Sequence, residues 1–183
     1  VDNKSLELIK NLGNIEDPKI DELISLHLYN EIYRLEKHLE VNALMDDKKQ
    51  RVDLRDLYFC TIDPNSAKDH DDAIYFDTKE NILYVAIADV SSLIKKDSVE
   101  DKNALEMSTT YYLKNEKIHM LNKSISEKFC SLNIGEPKKS LIYKAVLNQD
   151  GKIVEEKFLN DVINVKYKVS YKDIDALFNN QEM

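Results

Sequence analysis

Two periods of apolar residues divide the 183-residue chain. Over 17–45, Ile20, Ile24, Leu28, Ile32, Leu35 and Leu39 recur at the spacing of one helix face. Asp17-Pro18 offers an N-cap and a first-turn proline ahead of them. A break near Tyr29–Tyr33 would give two helices instead of one. The polar run 46–56 reads as a connection. From Leu57 the pattern becomes that of strands. Tyr58–Ile62, Ala73–Phe76 and Leu83–Val90 are β-branched and aromatic runs set between turn-like residues. Ser98 with Asp101 three residues on predicts a capped helix to about Met107. Ser140–Leu147 and Lys152–Val162 flank Gln149-Asp150-Gly151 and predict a hairpin. Ser170 with Asp173 predicts a last helix to about Phe178. The elements add up to an α+β fold: a mixed, largely antiparallel sheet flanked by helices.

Composition changes this picture little. Hydrophobic residues make up 43% and charged residues 33%, the balance of a globular domain. Cys60 and Cys130 lack metal-ligand spacing, which makes a reducing, cytoplasmic setting the default. No apolar run approaches the roughly 20 residues of a membrane span, and no secretory signal pattern opens the chain. Without an initiator Met, and with little beyond the helix near Phe178, a piece of a longer protein is expected.

The net charge of −8 at first points away from nucleic acid, because basic side chains supply most non-specific affinity for it. That charge is concentrated. Between 61 and 77, Asp63, Asp69, Asp71, Asp72 and Asp77 stand against Lys68 alone, a net of −4. Two unit charges 4 Å apart repel by about 4 kcal/mol at an effective dielectric of about 20. Carboxylates crowded on one loop between two strands must spread apart, take up protons or bind a cation. A solvated surface turn and a metal site both satisfy that demand. If metal is bound, hard oxygen donors favour Mg²⁺, Mn²⁺ or Ca²⁺. A calcium EF-hand loop counted from Asp63 would need Gly at position 68 and Glu at position 74, where Lys68 and Ile74 stand. The aspartyl-phosphate motif fails at Asp72-Ala73 after Asp69-His70-Asp71. His70 by itself is either exposed or a minor neighbour of the acids.

Several motifs in order go further. Arg51-Val52-Asp53-Leu54-Arg55-Asp56-Leu57, Thr61-Ile62-Asp63 and Ala67-Lys68-Asp69-His70-Asp71-Asp72-Ala73 come first. Val85-Ala86-Ile87-Ala88-Asp89-Val90-Ser91 follows, then Thr109, Thr110, Tyr112 and Leu113, then Ile118, Met120 and Leu121, then Cys130-Ser131-Leu132. Together they resemble the opening of the RNB catalytic domain of the ribonuclease II/ribonuclease R family. The resemblance covers about residues 45–178. It implies that 46–183 is the N-terminal portion of that domain and that 1–45 is a helical connector from the family's RNA-binding β-barrels.

The resemblance also implies a function: processive 3′→5′ hydrolysis of single-stranded RNA, dependent on Mg²⁺ (or Mn²⁺) and releasing nucleoside 5′-monophosphates. By the same resemblance Asp63 and Asp72 hold metal most directly. Asp69 positions metal-bound water, and Asp71 is the carboxylate whose charge the chemistry can least spare. Tyr112 matches the tyrosine that stacks on the 3′-terminal base, a contact open to any base.

The chain departs from the family at Met107, which stands in place of an Arg. Lys114, His119 and Asn122 replace prolines. These changes bear on the strand carrying Tyr112 and on one phosphate contact. The family domain also extends past residue 183, where an Arg clamps the scissile phosphate. By itself this piece is expected to be inactive or weak. Two other readings are an RNB-like domain that binds RNA or protein without catalysis, and an unrelated acidic module for a divalent metal.

Overall fold

The computed structural model describes residues 8, 10–28, 47–114 and 117–181. Helix α1 spans Ile20–Leu28. Strands β1 (Val52–Asp53), β2 (Cys60–Asp63), β3 (Asp72–Asp77) and β4 (Ile82–Ala88) follow. After α2 (Val99–Met107) come the short strands β5 (Tyr111–Tyr112) and β6 (Lys117–Ile118). A π-helical turn at Ile125–Phe129 leads to β7 (Pro137–Leu147), β8 (Ile153–Asn164), β9 (Tyr167–Ser170) and α3 (Tyr171–Gln181).

Seven strands form one sheet in the order β1-β8-β7-β4-β3-β2-β9. Pairing is antiparallel through its centre and parallel at both edges, β1 with β8 and β2 with β9. This is the α+β, largely antiparallel sheet expected from the periodicity. Strands β5 and β6 make a separate antiparallel pair.

Local chemistry accounts for the elements that the pattern marked. The Ser98 hydroxyl accepts the Asp101 N–H at 3.2 Å at the start of α2. At α3 the box is reciprocal: the Ser170 N–H donates to Asp173 Oδ2 at 3.0 Å, and the Asp173 N–H donates to Ser170 Oγ at 3.2 Å. In the β7–β8 hairpin Asn148 Oδ1 accepts the N–H groups of Asp150 and Lys152, and Gly151 takes the left-handed conformation at φ 74°.

Other elements depart from expectation. Helix α1 begins at Ile20 rather than Asp17, because Asp17 Oδ1 accepts the Lys19 N–H in a tight turn ahead of it. The rest of the helical expectation, 29–45, lies outside the described residues. The polar stretch 46–56 is not merely a connection. It carries β1, which pairs Val52 with Asp161 and Asp53 with Val162. Tertiary charge pairing holds it there: Arg51 Nη2 donates to Asp47 Oδ2 at 2.7 Å and to Asp89 Oδ2 at 2.6 Å, with all three side chains nearly buried. Lys139 Nζ completes the group on Asp47 Oδ1 at 2.8 Å.

The core lies on one face of the sheet. Phe59, Ala73, Ala86, Ile142, Ile163 and Val165 pack against Ile125, Cys130 and Leu132. Phe59 also meets the rings of Tyr75 and Tyr84, with centroids 5.9 and 6.4 Å away. Burial pushes the Cys130 thiol up to about 11, which makes it an inert packing group. A second, smaller cluster joins Leu26 of α1, Met107 of α2 and Ile118 of β6.

Asp161 is fully buried on β8 opposite Ser140, whose hydroxyl donates to Oδ1, while Oδ2 has no hydrogen-bond partner. Burial raises its carboxyl to about 6, against the lowering effects of Ser140 and Arg51. The folded state therefore holds a proton that the unfolded chain releases near 3.8, and Asp161 costs stability as pH rises through about 6. Asp161→Asn is expected to raise the melting temperature at pH 7.5, since a shift of two pKa units is worth about 3 kcal/mol. The advantage should vanish below pH 4 in thermal melts across a pH series.

Candidate active site

The acidic segment is a turn, 64–71, between two strand ends. Asp63 closes β2 and Asp72 opens β3, leaving Asp69 and Asp71 on the turn itself. The β3–β4 ladder runs on into it, because the Ala88 N–H donates to the Asp71 carbonyl at 2.9 Å. Asp77 stands at the far end of β3, where its Oδ1 accepts the N–H groups of Lys79 and Glu80. Of the five crowded acids, four belong together.

The segment after the π-helical turn supports the loop from inside. Ser131 is fully buried, and its hydroxyl accepts the His70 N–H and donates to the Lys68 carbonyl, both at 3.0 Å. The Leu132 N–H donates to the His70 carbonyl at 2.9 Å. His70 is buried in turn, and its Nδ1 lies 2.7 Å from Asp63 Oδ2. Of the two readings left open for His70, burial beside an acid is the one found. It aims Asp63 from below.

Asp63, Asp69, Asp71 and Asp72 line one cavity of about 420 Å³ with Tyr112 and Lys117. Tyr112 is 71% exposed and its hydroxyl lies 3.5 Å from Asp69 Oδ2. Lys117 Nζ forms an ion pair with the same oxygen and sits 4.7 Å from the centre of the Tyr112 ring. Burial raises the Asp71 carboxyl, and the negative charges of Asp69 and Asp72 raise it further. Burial also pulls on Asp69, but the Lys117 ammonium outweighs it and holds that carboxyl low.

This lining fits a hard divalent cation. It offers four carboxylates, and a cation would relieve the crowding that adds to the effect of burial on Asp71. Among the described residues, however, no three His, Cys, Asp or Glu side chains converge as ligands of one ion. Asp63 faces His70 and Asp69 faces Lys117. The Lys117 ammonium thus already occupies one of the four carboxylates.

Three of the four departures, Met107, His119 and Asn122, have defined local surroundings. Met107 is buried in the cluster that seats the β5–β6 pair, so it packs rather than meeting a phosphate. Asn122 accepts the Ser124 N–H at 2.9 Å through Oδ1 and opens the turn that leads to Cys130. His119 is buried, with Nδ1 3.2 Å from Ser126 Oγ. Lys117 and Ser131 are the site residues given no role by pattern reading. They lie 48 and 61 positions from the partners they meet, and no local spacing signals either contact.

An α+β sheet presenting a carboxylate cluster beside an exposed tyrosine defines the class: a domain with an acidic centre at one end of its sheet. Family comparison is more specific. The RNB domain model matches residues 51–183, and the model of the ribonuclease R second OB domain matches residues 1–26. The chain belongs to the RNB-domain family. Ribonuclease R of Helicobacter pylori (strain J99) is 35% identical over 190 residues, covering 100% of this chain and 29% of the relative. Mycoplasma genitalium RNase R, solved in complex with double-stranded RNA, superposes with a TM-score of 0.80 at 33% identity, over 93% of this chain and 32% of that one. The chain thus spans about a third or less of either relative. Yeast Ssd1, described as a pseudonuclease, shares the fold at a TM-score of 0.77 and 18% identity.

Ser131→Ala is expected to leave the His70 N–H buried without a partner and to destabilise the protein by about 1–3 kcal/mol. Denaturant unfolding followed by fluorescence would register the loss. An unchanged midpoint would show that the loop does not depend on this hydroxyl.

Proposed function

We propose that this chain is the catalytic-domain portion of a 3′→5′ exoribonuclease that hydrolyses single-stranded RNA and releases nucleoside 5′-monophosphates. One observation carries the reading: Asp63, Asp69, Asp71, Asp72 and Tyr112 line the same cavity. In this reading the four carboxylates would hold Mg²⁺ or Mn²⁺, which would supply an activated water and offset charge on the scissile phosphate. Asp63 and Asp72 hold the ion most directly, with His70 fixing Asp63. Asp69 orients the attacking water, and Asp71 keeps the negative charge that the site needs. Tyr112, exposed at the rim, stacks on the 3′-terminal base.

The full activity belongs to a longer protein. The second OB domain match at residues 1–26 supports an RNA-binding β-barrel ahead of the catalytic portion, and it overlaps the helical connector proposed for 1–45, which leads into residues 46–183. Cytoplasmic residence is part of the proposal, supported by the two free thiols. Among the described residues, no helix is long and apolar enough to cross a membrane.

A second reading has its own observation. Asp69 is paired with Lys117 and the acids do not converge, as would suit a member that binds RNA without cutting it. Asp71→Asn in the full-length protein separates the two. The expected outcome is RNA binding within about twofold of wild type, with the release of mononucleotides lowered by at least about a hundredfold, as when a transition-state interaction alone is removed. Equal losses of binding and rate would sink the catalytic role of Asp71. A wild type that binds RNA and releases no nucleotide would establish the second reading.

A further inference from the structure

Lys117 is the only cationic side chain among the described residues lining the acidic cavity. It reaches the cavity from β6, across from the loop, because the buried cluster of Leu26, Met107 and Ile118 seats the β5–β6 pair there. Its ammonium touches two groups at once. It pairs with Asp69, and it lies 4.7 Å from the centre of the Tyr112 ring. Its side chain is about a quarter exposed and the tyrosine is far more so, so the pair stands between the carboxylates and solvent.

We propose that Lys117 couples cation binding to RNA binding. It holds Asp69 as an internal counter-ion, yields that carboxylate to a divalent cation, and then binds the RNA phosphate beside the base stacked on Tyr112. The inference rests on reading the cavity as a site of RNA hydrolysis and adds a residue that recognises the substrate.

An ammonium and a divalent cation compete for the same carboxylate and repel each other. Once a cation takes Asp69, the lysine has lost its partner and the acids around it are neutralised. RNA then brings the nearest unpaired anion, a phosphate attached to the nucleotide on Tyr112. A lysine suits the exchange, since its point charge rides on a flexible four-carbon stem with three rotatable donors. The competition is reciprocal: whatever draws Lys117 away from Asp69 favours the cation, and the bound cation favours phosphate on Lys117.

The test uses full-length protein with Lys117→Met, and with Lys117→Arg as the variant that retains the charge. Mn²⁺ affinity is read by electron paramagnetic resonance without RNA. KM and kcat on single-stranded RNA are read at saturating Mg²⁺. Lys117→Met should bind Mn²⁺ about fivefold more tightly, the scale of one partly exposed ion pair. Its KM should rise by about the same factor, with kcat held within about twofold. Lys117→Arg should restore KM. If Lys117→Met melts early, Lys117→Gln replaces it in both measurements. Unchanged or weaker Mn²⁺ binding, or an unchanged KM, would overturn the coupling. Failure of the wild type to hydrolyse RNA in any divalent cation would instead overturn the proposed function, and the Mn²⁺ comparison would still judge the competition at Asp69.

Discussion

The site depends on a short crossing of two chain segments. Ser131 and Leu132 pass beneath the acidic turn and bind three backbone groups of Lys68 and His70. Without them, carboxylates crowded on a short turn and its two strand ends would be driven apart by their own repulsion. With them, the turn is fixed from inside and the charges point into one cavity. His70 transmits the constraint to Asp63, so a buried serine sets the direction of an acid 68 positions away in the chain. The core beneath shares the same support, since Cys130 and Leu132 pack on Phe59 and the sheet.

Charge is handled differently in two places. At the sheet edge Arg51 pairs with Asp47 and Asp89 and is nearly buried, which anchors β1 and the end of β4. At the cavity, repulsion is left partly uncompensated: Asp71 is raised, and only Asp69 has a lysine. The first arrangement closes a structure. The second stores a demand for positive charge, which a divalent cation can meet. The overall acidity of the chain therefore does not argue against the proposed nucleic-acid substrate, because a cation bound in an acidic cavity would attract a phosphate.

Much of the fold was legible because its signals are local. The helix caps at Ser98 and Ser170, the Gly151 hairpin and the β-branched and aromatic runs of β3 and β4 involve residues a few positions apart. The four aspartates and Tyr112 were legible from ordered motifs. What was missed is long-range. Strand β1 sits in a polar stretch, and β9 pairs with β2 in parallel across 107 positions, Cys60 with Tyr167. Lys117 carried no mark of its own, since its partner is reached only when two apolar clusters bring β6 over the turn.

The chain's order of residues by itself determined the α+β class, the family and the acids that gather on one loop. Each of these is written in neighbouring positions, where spacing and side-chain chemistry act directly. The tertiary structure alone decided which acids share a cavity, that Asp77 does not, that His70 is buried against Asp63, and that Lys117 occupies Asp69. Those outcomes follow from packing between distant segments, where the position of a charge is set by what is buried beneath it.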